Sequence, residues 1–229
     1  MSILSALHKS LTLYYPNVST NVVSISILDS LSVFICGASK VYYGGKTYNT
    51  VLIGNQCWLK ENLDIGTRID GNQNQTNNTP TNIIEKYCYN NEPANCTTYG
   101  GLYQWNEAMQ YVSTAGEKGI CPVGWHLPTL SEFQTLAATV ANNGNALKEI
   151  GQGVDPGEGT NTSGFSALLA GTRHYNGNFY YLGNDAVFWI STEYNVGESN
   201  YFYLPYNLSN IVFDHNSKNY GFSVRCIKD

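Results

Sequence analysis

The spacing of hydrophobic positions changes along this chain, and each spacing predicts a different element. Residues 1 to 13 carry Ile and Leu at helical intervals, whereas residues 22 to 35 alternate Ser with Ile, Leu or Val. The first pattern predicts a short amphipathic helix, and the second predicts a pair of strands that turn at Asp29. Both are too short and too polar to cross a bilayer. Because exposed apolar stripes need a cover, we expect residues 1 to 35 to dock on a partner or to drive oligomerisation.

The middle of the chain predicts short strands followed by two helices. Between residues 41 and 62, apolar runs separated by glycines indicate a hairpin that turns at Gly44 and one further strand. Residues 99 to 111 place their apolar side chains on one helical face. Thr129 and Glu132 have the spacing of a capping box, and a helical repeat follows them. Strands with tight turns are expected from there to the last residue.

The last third, residues 168 to 229, is crowded with Tyr, Asn and Ser and is broken by Gly. Tyr gives a large, rigid contact area at low entropic cost, and Asn, Ser and Gly give adaptable hydrogen bonding. This is typical of a recognition surface. A Tyr-rich β core with polar turns has a similar composition, so both interpretations stay open.

Composition narrows the class of protein. Charged residues and aromatic residues each make up 13% of the chain, with 18 Tyr, which favours a folded β-rich protein over disorder. The net charge of -5 and the lack of a basic run argue against nucleic acid and against membrane insertion. Six cysteines without a CxxC pair predict disulfides rather than zinc or redox chemistry, and hence an extracellular environment.

The chain carries no motif of a catalytic or cofactor site. A serine elbow, a zinc-protease motif, a P-loop and a dinucleotide fingerprint are all absent from the sequence. His126 and Glu132 are expected to be structural, and His174 and His215 have no partner at metal-ligand spacing. The Asn-rich loop after residue 64 lacks EF-hand spacing. We therefore expect no catalytic residue, no metal and no cofactor.

Four ordered motifs carry a family resemblance. They are IGNQCWLKENL from Ile53, CPVGWHLPT from Cys121, FWISTE from Phe188 and GFSVRC from Gly221. Together they resemble the Fibrobacter succinogenes major paralogous domain over roughly residues 36 to 229. The resemblance implies a C-type-lectin-like fold, related to the formylglycine-generating-enzyme group. Such a fold is α+β, loop-rich and disulfide-stapled, with two helices packed on a twisted, mostly antiparallel sheet.

The resemblance also guides the domain division and the cysteine pairing. It assigns residues 36 to 229 to a ligand-binding domain and leaves residues 1 to 35 as a separate docking segment. Cys36 and Cys57 flank a hairpin, and Cys88 and Cys96 close a short loop. In this fold the C-terminal strand returns to the centre, where the strand at Cys121 should lie beside it. The expected disulfides are Cys36–Cys57, Cys88–Cys96 and Cys121–Cys226.

Domains of this fold group also serve as variable proteins of diversity-generating retroelements, which mutate adenines in a template. Residues 185 to 220 are drawn heavily from the amino acids that mutated Asn codons encode. Residues that match the fixed family pattern are assigned to the scaffold: Trp189, Thr192, Phe222 and Val224. The remainder are assigned to a ligand-binding display: Asp185, Val187, Ile190, Tyr201, Tyr203, Asn207, Ile211, Phe213, His215 and Ser217.

These features predict a non-enzymatic receptor-binding protein at the tip of a phage tail fibre. Residues 1 to 13 lack a signal-peptide pattern, and release by lysis reconciles that with extracellular disulfides. The expected partners are a bacterial surface protein or glycan, a fibre or appendage protein bound through residues 1 to 35, and further copies in a homotrimer. The alternative is a secreted or cell-surface adhesin or carbohydrate-binding protein. An enzyme of the formylglycine-generating type is the third hypothesis, and the chain lacks a cysteine pair placed like its copper site.

Overall fold

The computed structural model describes residues 33–78, 81 and 83–229. Residues from Ile35 to Asp229 form one compact unit. The helix predicted for residues 1 to 13 lies outside the described residues, as does nearly all of the strand pair predicted for residues 22 to 35. The docking role of this segment therefore stays a prediction.

The first half of the unit contains eight short strands and three helices. The strands are β1 Val41–Tyr43, β2 Lys46–Tyr48, β3 Thr50–Ile53, β4 Gln56–Leu59, β5 Thr67–Arg68, β6 Glu85–Lys86, β7 Tyr103–Gln104 and β8 Trp125–His126. The helices are α1 Pro93–Tyr99, α2 Trp105–Ala108 and α3 Leu130–Thr139. Two 3₁₀ turns, Tyr89–Asn91 and Gly144–Ala146, complete this half.

The second half is built from strands alone. They are β9 Ala170–Arg173, β10 Phe179–Leu182, β11 Asp185–Glu193, β12 Glu198–Pro205, β13 Val212–Ser217, β14 Gly221–Phe222 and β15 Ile227–Lys228. The longest, β11 to β13, form an antiparallel three-stranded sheet. Two four-stranded antiparallel sheets have the orders β10-β9-β14-β7 and β3-β4-β15-β8. The pairs β1-β2 and β5-β6 are separate, and only the latter is parallel.

Two hydrophobic cores lie on opposite faces of the β11–β13 sheet, because successive side chains of a strand point to opposite faces. Trp189 belongs to the first core, together with Trp105 and Phe222. Phe188 belongs to the second core, where Phe133 of helix α3 covers the sheet. Both faces of this sheet are therefore occupied, and only the part beyond the first core is open to a ligand.

Local signals in the sequence predicted several elements correctly. The hairpin turns at Gly44, where φ is +57°, a conformation that glycine adopts without strain. Thr129 accepts a hydrogen bond from the Glu132 amide, and the Glu132 carboxylate accepts one from the Thr129 amide, which confirms the capping box. Helix α3 then buries Phe133 and Leu136 at the predicted spacing.

The helix predicted for residues 99 to 111 is wrong over most of its length. Apart from Tyr99, which ends helix α1, only Trp105–Ala108 is helical in this range, because Tyr103 and Gln104 are extended and pair with β14. Backbone pairing thus overrides the helical pattern of side chains. The sequence pattern also missed helix α1, which begins at Pro93. The fold is mostly β, with three short helices on antiparallel sheets, and it is α+β in that broad sense only.

The three predicted disulfides are confirmed. Their Cα atoms are 5.8 Å apart for Cys36–Cys57, 4.9 Å for Cys88–Cys96 and 5.9 Å for Cys121–Cys226. The third bond joins residues 105 positions apart and lies within the first core.

Two buried arginines tie distant loops to the sheets. Arg225 donates to the Asn62 side chain at 2.7 Å and to the Phe165 carbonyl at 2.6 Å. Arg173 donates to the Asn219 carbonyl at 2.9 Å and to carbonyls of the loop at Gly71. A buried guanidinium is costly unless its donors are satisfied, and here carbonyl oxygens satisfy them.

His126 links strand β8 to both helix α3 and the last residue. Its Nε2 lies 2.9 Å from Glu132 Oε1 and its Nδ1 lies 2.7 Å from Asp229 Oδ1. The hydrogen bond to Glu132 raises the pKa of His126, burial opposes this, and the bond to Asp229 adds to the increase. The protonated imidazole donates to both carboxylates, so it is the form that the fold prefers.

Removing Cys121–Cys226 should destabilise the domain more than removing Cys88–Cys96. The chain-entropy relation gives roughly 4.7 kcal/mol for a closed loop of about 100 residues and about 2.5 kcal/mol for one of about eight residues. The variants are Cys121→Ala with Cys226→Ala, and Cys88→Ala with Cys96→Ala as the matched control. Urea unfolding measures both free energies. Equal losses would contradict the entropic account.

The stability of the domain should depend on the protonation of His126. A raised folded pKa means that the contribution is fully present below the unfolded pKa of about 6.5 and is lost as pH rises through the folded pKa. We therefore expect the unfolding free energy of the native protein, relative to His126→Gln, to fall as pH rises through that window. Urea titrations of both proteins at a series of pH values measure it. Parallel curves would show that His126 contributes no charge-dependent stability.

Candidate ligand-binding site

A concavity of about 440 Å³ opens where strands β9, β10 and β14 meet the β11–β13 sheet. Its wall carries five tyrosines: Tyr181, Tyr201, Tyr203, Tyr206 and Tyr220. The other lining residues are Thr172, Asn184, Asp185, Val187, Asn216 and Phe222. We call this concavity the tyrosine cup. Its volume lies within the range of ordinary ligand pockets, roughly 300–1,000 Å³.

Strand alternation places the base of the tyrosine cup. Val187 pairs with Tyr203, and Trp189 pairs with Tyr201, across the β11–β12 ladder. Paired residues of antiparallel strands lie on the same face of the sheet. Asp185, two positions before Val187, shares this face. Trp189 is covered by the first core, so the cup begins where that core ends.

Tyr181 reaches the cup from an unusual backbone conformation. Its φ is +67°, and Gly171, whose neighbours Thr172 and Ala170 pair with Tyr180 and Leu182, has a φ of +68°. A Cβ at Gly171 would lie 2.7 Å from the Tyr180 carbonyl oxygen, so that position requires glycine. A left-handed conformation at a bulky residue costs on the order of 1–3 kcal/mol and tends to occur at ligand sites. The fold thus accepts a cost to hold Tyr181 at this rim.

The polar groups of the cup are hydroxyls, amides and one carboxylate. The Tyr203 hydroxyl donates to Asp185 Oδ1 at 3.0 Å. Burial raises the pKa of Asp185, and the bond from Tyr203 opposes that increase. Burial also raises the pKa of Tyr201 to about 12, and its hydroxyl lies 3.5 Å from Asp214 Oδ2 at the edge of the cup. At neutral pH these tyrosines are therefore hydrogen-bond donors.

An aromatic ridge continues the cup onto the surface. It consists of His174, Tyr175 and Tyr180, on the β9–β10 hairpin. The rings of His174 and Tyr175 are 4.1 Å apart, and the ring of Tyr220 lies 4.8 Å from His174 and 5.5 Å from Tyr175. Tyr175 is 59% exposed to solvent. Tyr220 thus joins the cup to an exposed aromatic surface, which is a common feature of binding sites.

Four of the predicted display residues line the cup: Asp185, Val187, Tyr201 and Tyr203. Ile190 was assigned to the display, and that assignment is wrong, because its side chain is fully buried in the second core. Phe213 and Ile211 are half-buried against the same core. The sheet face that carries these three residues is covered by helix α3, whose Phe133 ring stacks 4.7 Å from Phe202.

The other predicted display residues lie outside the cup. Asn207 is exposed in the turn between β12 and β13. His215 stacks on Tyr194 at 3.6 Å, and its Nδ1 lies 3.4 Å from a Glu198 carboxylate oxygen. Ser217 is half-buried at the last position of β13. These three stay untested as contacts of a ligand.

The four residues assigned to the scaffold face the interior of the domain or contact helix α3. Trp189, Phe222 and Val224 are buried in the first core. Thr192 accepts a hydrogen bond from the Leu130 amide at the start of helix α3. Phe222 also lines the cup, 4.3 Å from the Trp189 ring, so scaffold and site share this side chain.

Sequence reasoning missed several cup residues: Thr172, Tyr181, Asn184, Tyr206, Asn216 and Tyr220. Strand alternation could have identified Asn216. It pairs with Ser199, which lies on the same face of β12 as the cup-lining Tyr201 and Tyr203. Tyr181 and Tyr220 had none, because their placement depends on a left-handed backbone and on a turn.

The described residues contain neither a cluster of metal ligands nor a membrane-spanning helix. No three His, Cys, Asp or Glu side chains are grouped as metal ligands. No helix in the same part of the chain is long and apolar enough to cross a membrane.

One comparison with known proteins gave a match. The family model described as the Fibrobacter succinogenes major domain matches residues 51–228, which include every residue of the tyrosine cup. No curated protein and no solved structure matches the chain.

Replacing Tyr181 by glycine should leave the domain at least as stable as replacing it by alanine. Glycine adopts a positive φ freely, whereas alanine keeps the strain, so Tyr181→Gly should be more stable than Tyr181→Ala by about 1 kcal/mol. Urea unfolding of the two variants measures the difference. A lower stability for the glycine variant would argue that the left-handed conformation is not maintained in solution.

Proposed function

The chain belongs to the Fibrobacter succinogenes major domain family, and we propose that it is a non-enzymatic ligand-binding protein that holds its ligand in the tyrosine cup. In this proposal the unit from Ile35 to Asp229 has a C-type-lectin-like fold. The mostly antiparallel sheets, the few helices and the buried disulfide of the last strands are consistent with it.

The observation that carries the proposal is the composition and strain of the cup. Five tyrosines, two asparagines and one carboxylate line a concavity large enough for a small ligand or for a protruding side chain. Tyrosine and asparagine dominate surfaces that recognise diverse ligands. Tyr181 is held there in a left-handed backbone conformation that a tyrosine adopts only at an energetic cost. These features support a role for the cup in binding a ligand.

We further propose an extracellular setting. Three disulfides support it, because such bonds persist in oxidising environments. The preferred location is the tip of a phage tail fibre, where residues 1 to 35 would attach a homotrimer to the fibre and a retroelement would vary the cup. The bound partner would be a protein or glycan of the bacterial surface. A secreted or cell-surface adhesin would use the same cup.

Binding to bacterial cells tests this function. The labelled full-length protein is incubated with a panel of intact bacterial strains, and bound fluorescence is measured by flow cytometry. Tyr203→Ala and Tyr181→Gly should each weaken binding to a responsive strain by roughly 30-fold, as loss of an aromatic anchor of about 2 kcal/mol implies. Tyr42→Ala is the matched control, since Tyr42 is 76% exposed on β1 and does not line the cup.

The outcomes of the cell-binding experiment distinguish the role of the cup from the receptor-binding role of the whole protein. Binding that survives both cup variants, or that falls equally with Tyr42→Ala, would contradict a binding role for the cup. A protein that binds no strain and no purified surface polysaccharide would contradict the receptor-binding role as a whole. Urea unfolding of each variant shows whether a loss of binding is a loss of folding.

A further inference from the structure

The tyrosine cup contains a negative charge with no positive partner. Asp185 is half-buried there, and its carboxylate accepts a hydrogen bond from the neutral Tyr203 hydroxyl. No Lys, Arg or His is among the cup-lining residues that the structure describes. A partly desolvated carboxylate loses hydration, and a cation that pairs with it restores the balance. The free cup is therefore electrostatically incomplete.

The tyrosine rings supply a second attraction for a cation. Aromatic rings bind ammonium and guanidinium groups through their quadrupole, most strongly where water is partly excluded. Tyr201, Tyr203 and Tyr220 line the same concavity as Asp185. Asp214, 3.5 Å from the Tyr201 hydroxyl, adds a second carboxylate at the edge.

The described part of the chain contains an example of this combination inside its own fold. The Lys218 ammonium lies 4.3 Å from the centroid of the Trp105 ring and also pairs with the Glu193 carboxylate. The Val196 carbonyl also accepts a hydrogen bond from this ammonium at 3.0 Å, so a carboxylate, an aromatic ring and a carbonyl oxygen together hold a buried ammonium in this domain. The cup likewise brings together a carboxylate and several aromatic rings, but no cationic side chain of the described residues lines it.

We propose that the cup binds the ammonium or guanidinium group of a lysine or arginine side chain on a protein ligand, with Asp185 as its ion-pair partner. This inference rests on the proposed binding function and specifies the ligand of that same site. A concavity of about 440 Å³ has room for such a group and its methylene stem. An anion would be repelled by Asp185 and Asp214, and a neutral sugar could donate hydroxyl hydrogen bonds to Asp185 but would supply no counter-charge.

Small probes test the inference directly. N-acetyl-arginine methylamide and N-acetyl-lysine methylamide are the cationic probes, and N-acetyl-norleucine methylamide is their neutral counterpart of similar shape. Methyl α-glucoside represents a sugar. Each is titrated into the ¹⁵N-labelled full-length protein, and amide chemical shifts report the site and the dissociation constant. We expect a cationic probe to bind at the cup roughly tenfold more tightly than norleucine.

Two variants make the test specific. Asp185→Asn keeps the shape and an acceptor for the Tyr203 hydroxyl, and it should abolish the preference for cations. Glu158→Gln removes one negative charge from an exposed position that does not line the cup, and it should leave the preference intact. Raising ionic strength from about 20 mM to about 500 mM should weaken the cationic probes and not the neutral one, because salt screens partly exposed charges.

Each outcome decides the inference. Equal or tighter binding of norleucine or of the glucoside overturns it, as does the absence of any cup shift with the cationic probes. If Tyr203→Ala still abolishes binding to cells in that case, the proposed function stands and only the cationic ligand falls. If the cationic probes bind the cup while cell binding ignores Tyr203→Ala, the ligand chemistry stands and the proposed function falls.

Discussion

The return of the C-terminal segment through the middle of the domain is the constraint on which the rest of the structure depends. Gly221 pairs with both β7 and β9, and Ser223 exchanges backbone hydrogen bonds with the edge of β11. Arg225 then satisfies buried carbonyls, Cys226 forms the disulfide to Cys121, and β15 pairs with β4 and β8. Elements that are otherwise separate small sheets are joined through one short segment, so their relative positions are fixed by its pairing.

The site inherits its shape from that segment. Phe222 lies under the cup and contacts the rings of Trp189, Tyr201 and Tyr220 at 4.3, 5.4 and 5.7 Å. One wall of the cup comes from the β11–β12 ladder and another from the β9–β10 hairpin, and both reach the same strand. A binding surface assembled from strands is more rigid than one assembled from loops. The entropy lost when a ligand binds is correspondingly smaller.

Features that depend on neighbouring residues could be predicted from the sequence, whereas the packing of distant elements could not. The Thr129–Glu132 cap and the Gly44 turn depend on neighbours in the chain and were predicted correctly. Alternation along β11 was also visible, but it says only that Trp189 and Ile190 point to opposite faces. Which face is open depends on where helix α3 packs, and no period in the sequence encodes that. Tyr181 depends on a left-handed backbone that its residue type disfavours, so only the structure could reveal it.

The two-sided β11–β13 sheet has a consequence for how this domain can change. On β12, Tyr201 and Tyr203 face the cup, while Phe202 and Leu204, which alternate with them, face the second core. Under the proposed function, ligand contact and interior packing therefore depend on alternating positions of a single strand. Substitutions at Phe202 or Leu204 act on the second core, whereas those at Tyr201 or Tyr203 act on the cup and on the first core, against which both tyrosines pack. The strand thus separates the cup from the second core by the thickness of a single backbone.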